Sequence, residues 1–475
     1  MSIQYDCSNA LITQKRHPHF LHTNEIAALR PAAHRIHRDL AQRRRSGELG
    51  FFNLYKDRLL ARAVKEYAQR IRRDFDNFVI LGIGGSALGP ICLQSALAHP
   101  FYNIVSKKER GGGPRVFVVD NCDPEPIATL ARSLDLRKTC FNVVTKSGTT
   151  PETMTAMMVF YNKLKAIYGR RAPQNLPRHF IATTDPKTGI LRALAEKETF
   201  PTLPVPPNVG GRFSVLTAVG LLPAAVLGID VDELMKGAGA ADRACSKDDL
   251  LKNPAYLNGA IHYLADTTRG KVMSVMMPYS QALRDVADWY RQLWAESLGK
   301  QRTRGRKTLN VGQTPIKALG VTDQHSQIQL YVEGPNDKII TFVTVEHFKP
   351  DLRIPKVLPA SYGLDHFASR AMSELLNAEA RATEFALTRA DRPNVKFIFD
   401  KVSAYNVGAF FQTLEIQTAF CGGLYQINAF DQPGVEEGKK ATHALLGRGK
   451  PEDLQKVKEI QSFEKRKGSK WLLIP

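Results

Sequence analysis

Thr145-Lys146-Ser147-Gly148-Thr149-Thr150 sets four hydroxyls, a lysine and a glycine in six consecutive positions. The apolar run Phe141 to Val144 precedes them and Pro151-Glu152 follows, so the pattern predicts strand, loop and helix start, with Thr150 as the cap. A helix N-terminus offers unpaired NH groups and a positive dipole end, and hydroxyl donors clustered there suit a phosphate dianion. An ordinary Ser/Thr-rich turn with a helix cap has the same composition.

A second loop, Gly82-Ile83-Gly84-Gly85-Ser86, follows the apolar run Phe78 to Leu81, and glycines at a strand end let a ligand approach the backbone. Gly82, Gly84 and Ala87 fit the dinucleotide pattern G-x-G-x-x-A, which makes a nicotinamide cofactor a rival to a phosphate. The acid closing the next apolar run, Asp120, lies 38 residues beyond Gly82, whereas that pattern expects about 20. Tight strand-to-helix packing is the purely structural alternative.

Four more positions could do chemistry. Arg212 follows Gly210-Gly211, where a guanidinium could reach an anion or a developing oxyanion, or simply an ion-pair partner. Gln292 and Glu296 stand four apart on one helix face beside Leu293 and Trp294, and a carboxylate desolvated by such neighbours is a competent general base. His325 could serve as acid or base, because histidine as a residue type suits proton transfer near neutral pH. Lys439 or Lys440 could point into a site, although surface lysines are commoner.

The elements that must carry these residues alternate. Strand signals at 78–81, 115–119, 141–144 and 179–183 are separated by helical stretches near 126–134 and 152–168. The alternation predicts an α/β chain with a doubly wound parallel sheet, its ligand loops gathered at the carboxyl ends of the strands. Lys271 to Met277 and Ser280 to Leu298 begin the theme again as strand and long helix, and Pro315 to Gly320 reads as a turn. A chain of 475 residues is long for one core. We expect a helical N-terminal segment over 1–55, a first domain over 56–236 and a second over 237–475.

The six ordered stretches resemble the glucose-6-phosphate isomerase (phosphoglucose isomerase) family of bacterial type. They are Gly82 to Ser86, Thr145 to Thr150, Gly210-Gly211-Arg212, Gln292 with Glu296-Ser297, His325 in Thr322-Asp323-Gln324-His325, and Phe430-Asp431-Gln432 with Gly438-Lys439. The resemblance runs from near residue 55 to about 446. It implies two flavodoxin-like sugar-isomerase (SIS) domains with a C-terminal helix, and a glycolytic and gluconeogenic role in the cytoplasm. Gly85, Ser86, Thr145, Lys146, Ser147 and Thr150 would hold the sugar phosphate. Glu296 would move a proton between carbons 1 and 2, and His325 and Lys439 would assist ring opening. Arg212 with the Gly211 backbone would stabilise a cis-enediolate, while Gln292 and Gln432 orient the substrate. The family's histidine comes from a neighbouring subunit, which implies a homodimer with a shared site. No metal and no organic cofactor is implied. Leu298 and Pro433 depart from the family pattern beside the site and could alter aldose choice. A non-catalytic phosphosugar sensor on the same fold is the alternative reading.

Bulk properties bound the partners. No run reaches a membrane span, since Val215 to Ile229 is short and holds Pro223. The six cysteines have no C-x-x-C spacing, which favours free thiols in a reducing compartment over zinc. Net charge is +20, but the basic residues are dispersed and lack aromatic interleaving, so nucleic acid is not the expected partner.

Overall fold

The structure is a computed structural model that describes residues 3–13 and 17–467. Its two larger sheets are built from β1 (Ile3–Asp6), β2 (Asn77–Leu81), β3 (Arg115–Val119), β4 (Thr139–Val144), β5 (Phe180–Thr184), β6 (Thr202–Pro204), β7 (Met273–Pro278), β8 (Thr314–Lys317), β9 (Lys338–Val345) and β10 (Asn394–Phe399). Among the described residues these strands form two five-stranded sheets, ordered β3-β2-β4-β5-β6 and β1-β10-β9-β7-β8. Every pairing in the first sheet is parallel. In the second, only β1 runs antiparallel.

Strands covered by helices on both faces read as unbroken apolar runs rather than alternating ones. β2 and β4 show this, with every residue buried. In each sheet the chain steps outward after its first parallel strand and returns on the other side. The order therefore reverses between β2 and β4 and again between β7 and β9, and ligands of doubly wound sheets bind at such reversals.

Helix α1 (Arg58–Asp74) buries Leu60, Val64, Ala68 and Ile71 at the helical period and is capped by Asp57, whose carboxylate accepts from the Leu60 NH at 2.9 Å. α2 (Leu88–Leu97) follows β2, and α3 (Pro151–Tyr168) follows β4. α4 (Val231–Ala244), α5 (Pro254–Arg269) and α6 (Arg284–Leu298) pack on α7 (Ala404–Leu424), a helix buried on every face.

Two elements differ from the sequence expectation. Residues before Glu25 carry no strand signal, yet β1 lies on the edge of the second sheet, with Ile3 opposite Phe399 and Asp6 opposite Lys396. Its four residues have no apolar run of their own. They are held by tertiary contacts, the Tyr5 hydroxyl donating to Asn258 Oδ1 at 2.8 Å and its ring 4.9 Å from that of Phe397. Pro315 lies in a strand rather than a turn: β8 pairs only with β7, and an edge strand tolerates a residue without an NH.

A separate compact unit begins at Phe430. Within it α8 (Glu436–Leu445) packs on α9 (Pro451–Lys467), and Lys456 Nζ donates to Glu437 Oε1 at 2.7 Å.

Candidate active site

The two hydroxyl and glycine loops leave neighbouring parallel strands beside the first reversal point. Leu81 pairs with Val143, so Gly82 to Ser86 and Thr145 to Thr150 emerge at the same sheet edge. Thr145 is buried; its Oγ1 lies 2.9 Å from Thr150 Oγ1 and accepts from the Gly148 NH at 3.3 Å. Ser147 is exposed, with Oγ 2.7 Å from Thr149 Oγ1 and accepting from the Thr149 NH at 3.2 Å. Thr150 stands at the N-cap position of α3 but makes no side-chain cap bond. Its hydroxyl turns back onto Thr145 instead.

Lys146 ties this loop to the next. Its ammonium donates to the carbonyls of Pro207 at 2.5 Å and Val209 at 3.3 Å, on the passage that leads into Gly210-Gly211-Arg212. Partial burial lowers the Lys146 pKa, and the Asp185 carboxylate opposes that shift.

The Gly82 loop meets the same passage directly. A Cβ on Gly85 would lie 2.2 Å from the Gly211 carbonyl carbon and 2.7 Å from Arg212 N, so the two backbones touch where only glycine fits. The missing side chain of Gly85 thus admits the protein's own chain. Across the loop, Gln292 Nε2 sits 3.0 Å from where a Cβ on Gly84 would stand. Ser86 is half-buried in the same turn.

Arg212 joins the two sheets' contributions. Its side chain is 2% exposed. Nε donates to Ser297 Oγ at 2.7 Å, Nη2 to the Ala429 carbonyl at 2.6 Å, and Nη1 to Glu296 Oε2 at 3.1 Å. Glu296 remains 32% exposed, at the end of α6, where Leu293 and Trp294 are buried as the apolar face requires. A buried guanidinium, hydrogen-bonded through each of its nitrogens, beside a solvent-reachable carboxylate can pair a fixed positive charge with a proton acceptor.

The remaining expected residues stand on other elements. His325 caps a short turn, Thr322–Gln324, and is exposed; among the described residues its ring makes no hydrogen bond or ion pair. Gln432 precedes the turn Pro433–Val435 in the C-terminal unit. Lys439 lies on α8, exposed, with Nζ 2.9 Å from Glu436 Oε1. Leu298 is fully buried and Pro433 exposed.

Two contributors were not anticipated. Neither the Ala429 carbonyl nor the buried Lys300 carries a signature, since one is a backbone atom and the other reads as a surface lysine. Among the described residues no group of three or more His, Cys, Asp or Glu side chains could hold a metal ion, and no helix is long and apolar enough to cross a membrane.

Relatives with the same architecture exist. Residues 63–466 match the phosphoglucose isomerase family. A glucose-6-phosphate isomerase of Carboxydothermus hydrogenoformans is 49% identical over 429 residues, spanning 89% of this chain and 91% of its own. One of Thermus thermophilus is 40% identical over 408 residues, spanning 86% and 92%. Among solved structures, a hypothetical protein of Thermus thermophilus superposes with a TM-score of 0.81 at 38% identity, covering 94% of this chain and 99% of that one. A glucose-6-phosphate isomerase of Chlamydia trachomatis shares the fold with a TM-score of 0.71 at 24% identity, covering 85% and 76%. With its loops at the reversal point and this extent of similarity, the chain belongs to the phosphoglucose isomerase family.

Proposed function

We propose that this chain interconverts glucose 6-phosphate and fructose 6-phosphate by moving one proton between carbons 1 and 2. The observation that carries the reading is Arg212, buried at 2% exposure and 3.1 Å from the partly exposed Glu296 carboxylate. A proton alpha to a carbonyl is weakly acidic, so its removal needs a positioned base and a cation for the oxygen that becomes negative. Glu296 takes the proton and returns it to the neighbouring carbon. Arg212 and the Gly211 NH stabilise the cis-enediolate oxygens.

The sugar phosphate sits against Ser86, Thr145, Ser147 and Thr150, with the backbones of Gly85 and Lys146. Anchoring a group that does not react holds carbons 1 and 2 at Glu296 and uses remote binding to orient the reaction. Gln292 and Gln432 orient the sugar, and His325 and Lys439 assist ring opening. On this reading residues 56–236 and 237–475 are two sugar-isomerase domains, the N-terminal segment lending β1 to the edge of the second sheet, and the protein works in the cytoplasm in glycolysis and gluconeogenesis.

His325 is exposed with no side-chain partner of its own among the described residues, which supports its use by a second copy in a homodimer. Purified protein without added metal should convert fructose 6-phosphate in a coupled assay. Glu296→Gln should keep binding it while losing at least about 10²-fold in turnover; full turnover in that variant removes Glu296 as the base. Mixing Glu296→Gln with His325→Ala should restore part of the activity if sites are shared, and no recovery would place His325 within its own subunit's site or outside it.

A further inference from the structure

The helix that carries Glu296 ends two residues later, at Leu298, and the chain turns through Gly299 into a ribbon whose first residue is Lys300. Lys300 pairs with Val311 there, yet its side chain folds back on the helix it has just left. It is 8% exposed, and its ammonium donates to the Glu296 carbonyl at 2.5 Å and the Ser297 carbonyl at 3.1 Å. The last carbonyls of a helix lack partners within the helix, and a cation at that end answers both the unpaired oxygens and the negative dipole end.

We propose that Lys300 is a positioning residue for the base, an inference that rests on Glu296 having that role. Glu296 and Ser297 are held from two sides. Arg212 takes the Glu296 carboxylate and the Ser297 hydroxyl, and Lys300 takes the two main-chain carbonyls behind them. The ribbon that places Lys300 is itself anchored: the Arg304 NH donates to the Gln426 carbonyl at 2.8 Å and its Nε to the Ile427 carbonyl at 3.2 Å. That stretch runs on to Ala429, whose carbonyl accepts from Arg212. The base and the cation opposite it are thus referenced to one frame, and Lys300 is the link on the base's side.

Without the ammonium, two buried carbonyls lose their donor and the last turn of α6 can fray, which moves a carboxylate that must meet a carbon-bound proton. Misplacement of about 1 Å is enough to cost roughly 10²-fold in rate. Phosphate anchoring, on the other sheet edge, is untouched.

The test is steady-state kinetics and thermal melting of Lys300→Met, Glu296→Gln and the double variant. We expect Lys300→Met to lower kcat at least about tenfold with KM within about twofold, and to change the residual turnover of Glu296→Gln by less than about twofold, since a residue acting only through the base has nothing left to position. A Lys300→Met kcat within about threefold of wild type, or equal losses with and without Glu296, overturns the proposal. So does loss of the folded state, which would assign Lys300 to the fold. Retained turnover in Glu296→Gln alone would overturn the base itself, a separate failure visible in that single variant.

Discussion

The Nη1 atom of Arg212 donates to Oε2 of Glu296 at 3.1 Å, and the arginine is buried while the glutamate is reachable from solvent. The asymmetry matters for what a substitution does. Arg212 also binds Ser297 Oγ and the Ala429 carbonyl through its other nitrogens, a planar fork that lysine cannot reproduce. Arg212→Lys should therefore lower kcat/KM by about 10²–10³-fold, the usual loss when one oxyanion donor is removed. Turnover of fructose 6-phosphate measures it, and a variant within threefold of wild type would show that charge alone is sufficient.

Gly85 offers a test of the loop-to-loop contact. A Cβ there would stand 2.2 Å from the Gly211 carbonyl carbon, a clash between backbones that no side-chain rotation relieves. Gly85→Ala must push the Gly82 loop away from the Arg212 turn, at a cost of about 1–3 kcal/mol in stability and about 10²-fold in turnover. Gly210→Ala is the control, because its Cβ would meet only Phe213 Cδ2 at 3.7 Å, an ordinary contact. Equal behaviour of the two variants would show that the close approach has no functional weight.

Much of this arrangement is legible in the sequence. Phe78 to Leu81 and Phe141 to Val144 announced buried strands because parallel strands are apolar throughout, and the glycines and hydroxyls after them marked loops at strand ends. What stayed hidden depends on contacts between distant residues. Nothing local in Ile3–Asp6 shows that it completes a sheet with residues 394–399, and Lys300 looks like any solvated lysine until the chain reversal at Gly299 folds it onto its own helix. The partners of Arg212 are similarly invisible, one of them being a main-chain carbonyl 217 residues away. Thr150 shows the opposite error: its place before Pro151 predicts a cap, and the structure gives its hydroxyl to Thr145 instead.

That last difference separates two outcomes for Thr150→Ala. Removing a capping hydroxyl costs about 1 kcal/mol of stability and leaves substrate binding alone, whereas removing one that serves a ligand loop weakens binding. With its bond going to Thr145 and no cap bond present, the variant should lose no more than about 1 kcal/mol, a shift of about 1 °C in midpoint for a chain this long. KM for fructose 6-phosphate should rise several-fold while kcat is largely kept, the signature of lost uniform binding. A lowered melting temperature with unchanged KM would return Thr150 to the role of a cap.

Acid stability should report on His262, which lies fully buried under the site's helix. Its Nδ1 faces the Asn258 carbonyl at 3.0 Å and its ring meets that of Trp294 edge-on at 5.5 Å. Burial pushes the imidazole down to about 4, partly offset by the Asn258 carbonyl. The native protein thus keeps His262 neutral while the unfolded chain takes up a proton below about pH 6.5. With more protons bound in the unfolded state, stability falls as pH drops from about 6.5 towards 4, and this group's contribution levels off once both states are protonated. The slope is about 1.4 kcal/mol per pH unit, or about 3 kcal/mol over the window. Urea unfolding of wild type and His262→Gln at pH 7, 6, 5 and 4.5 should show the variant losing less stability on acidification by that amount. Parallel pH profiles would mean that His262 carries its proton inside the fold.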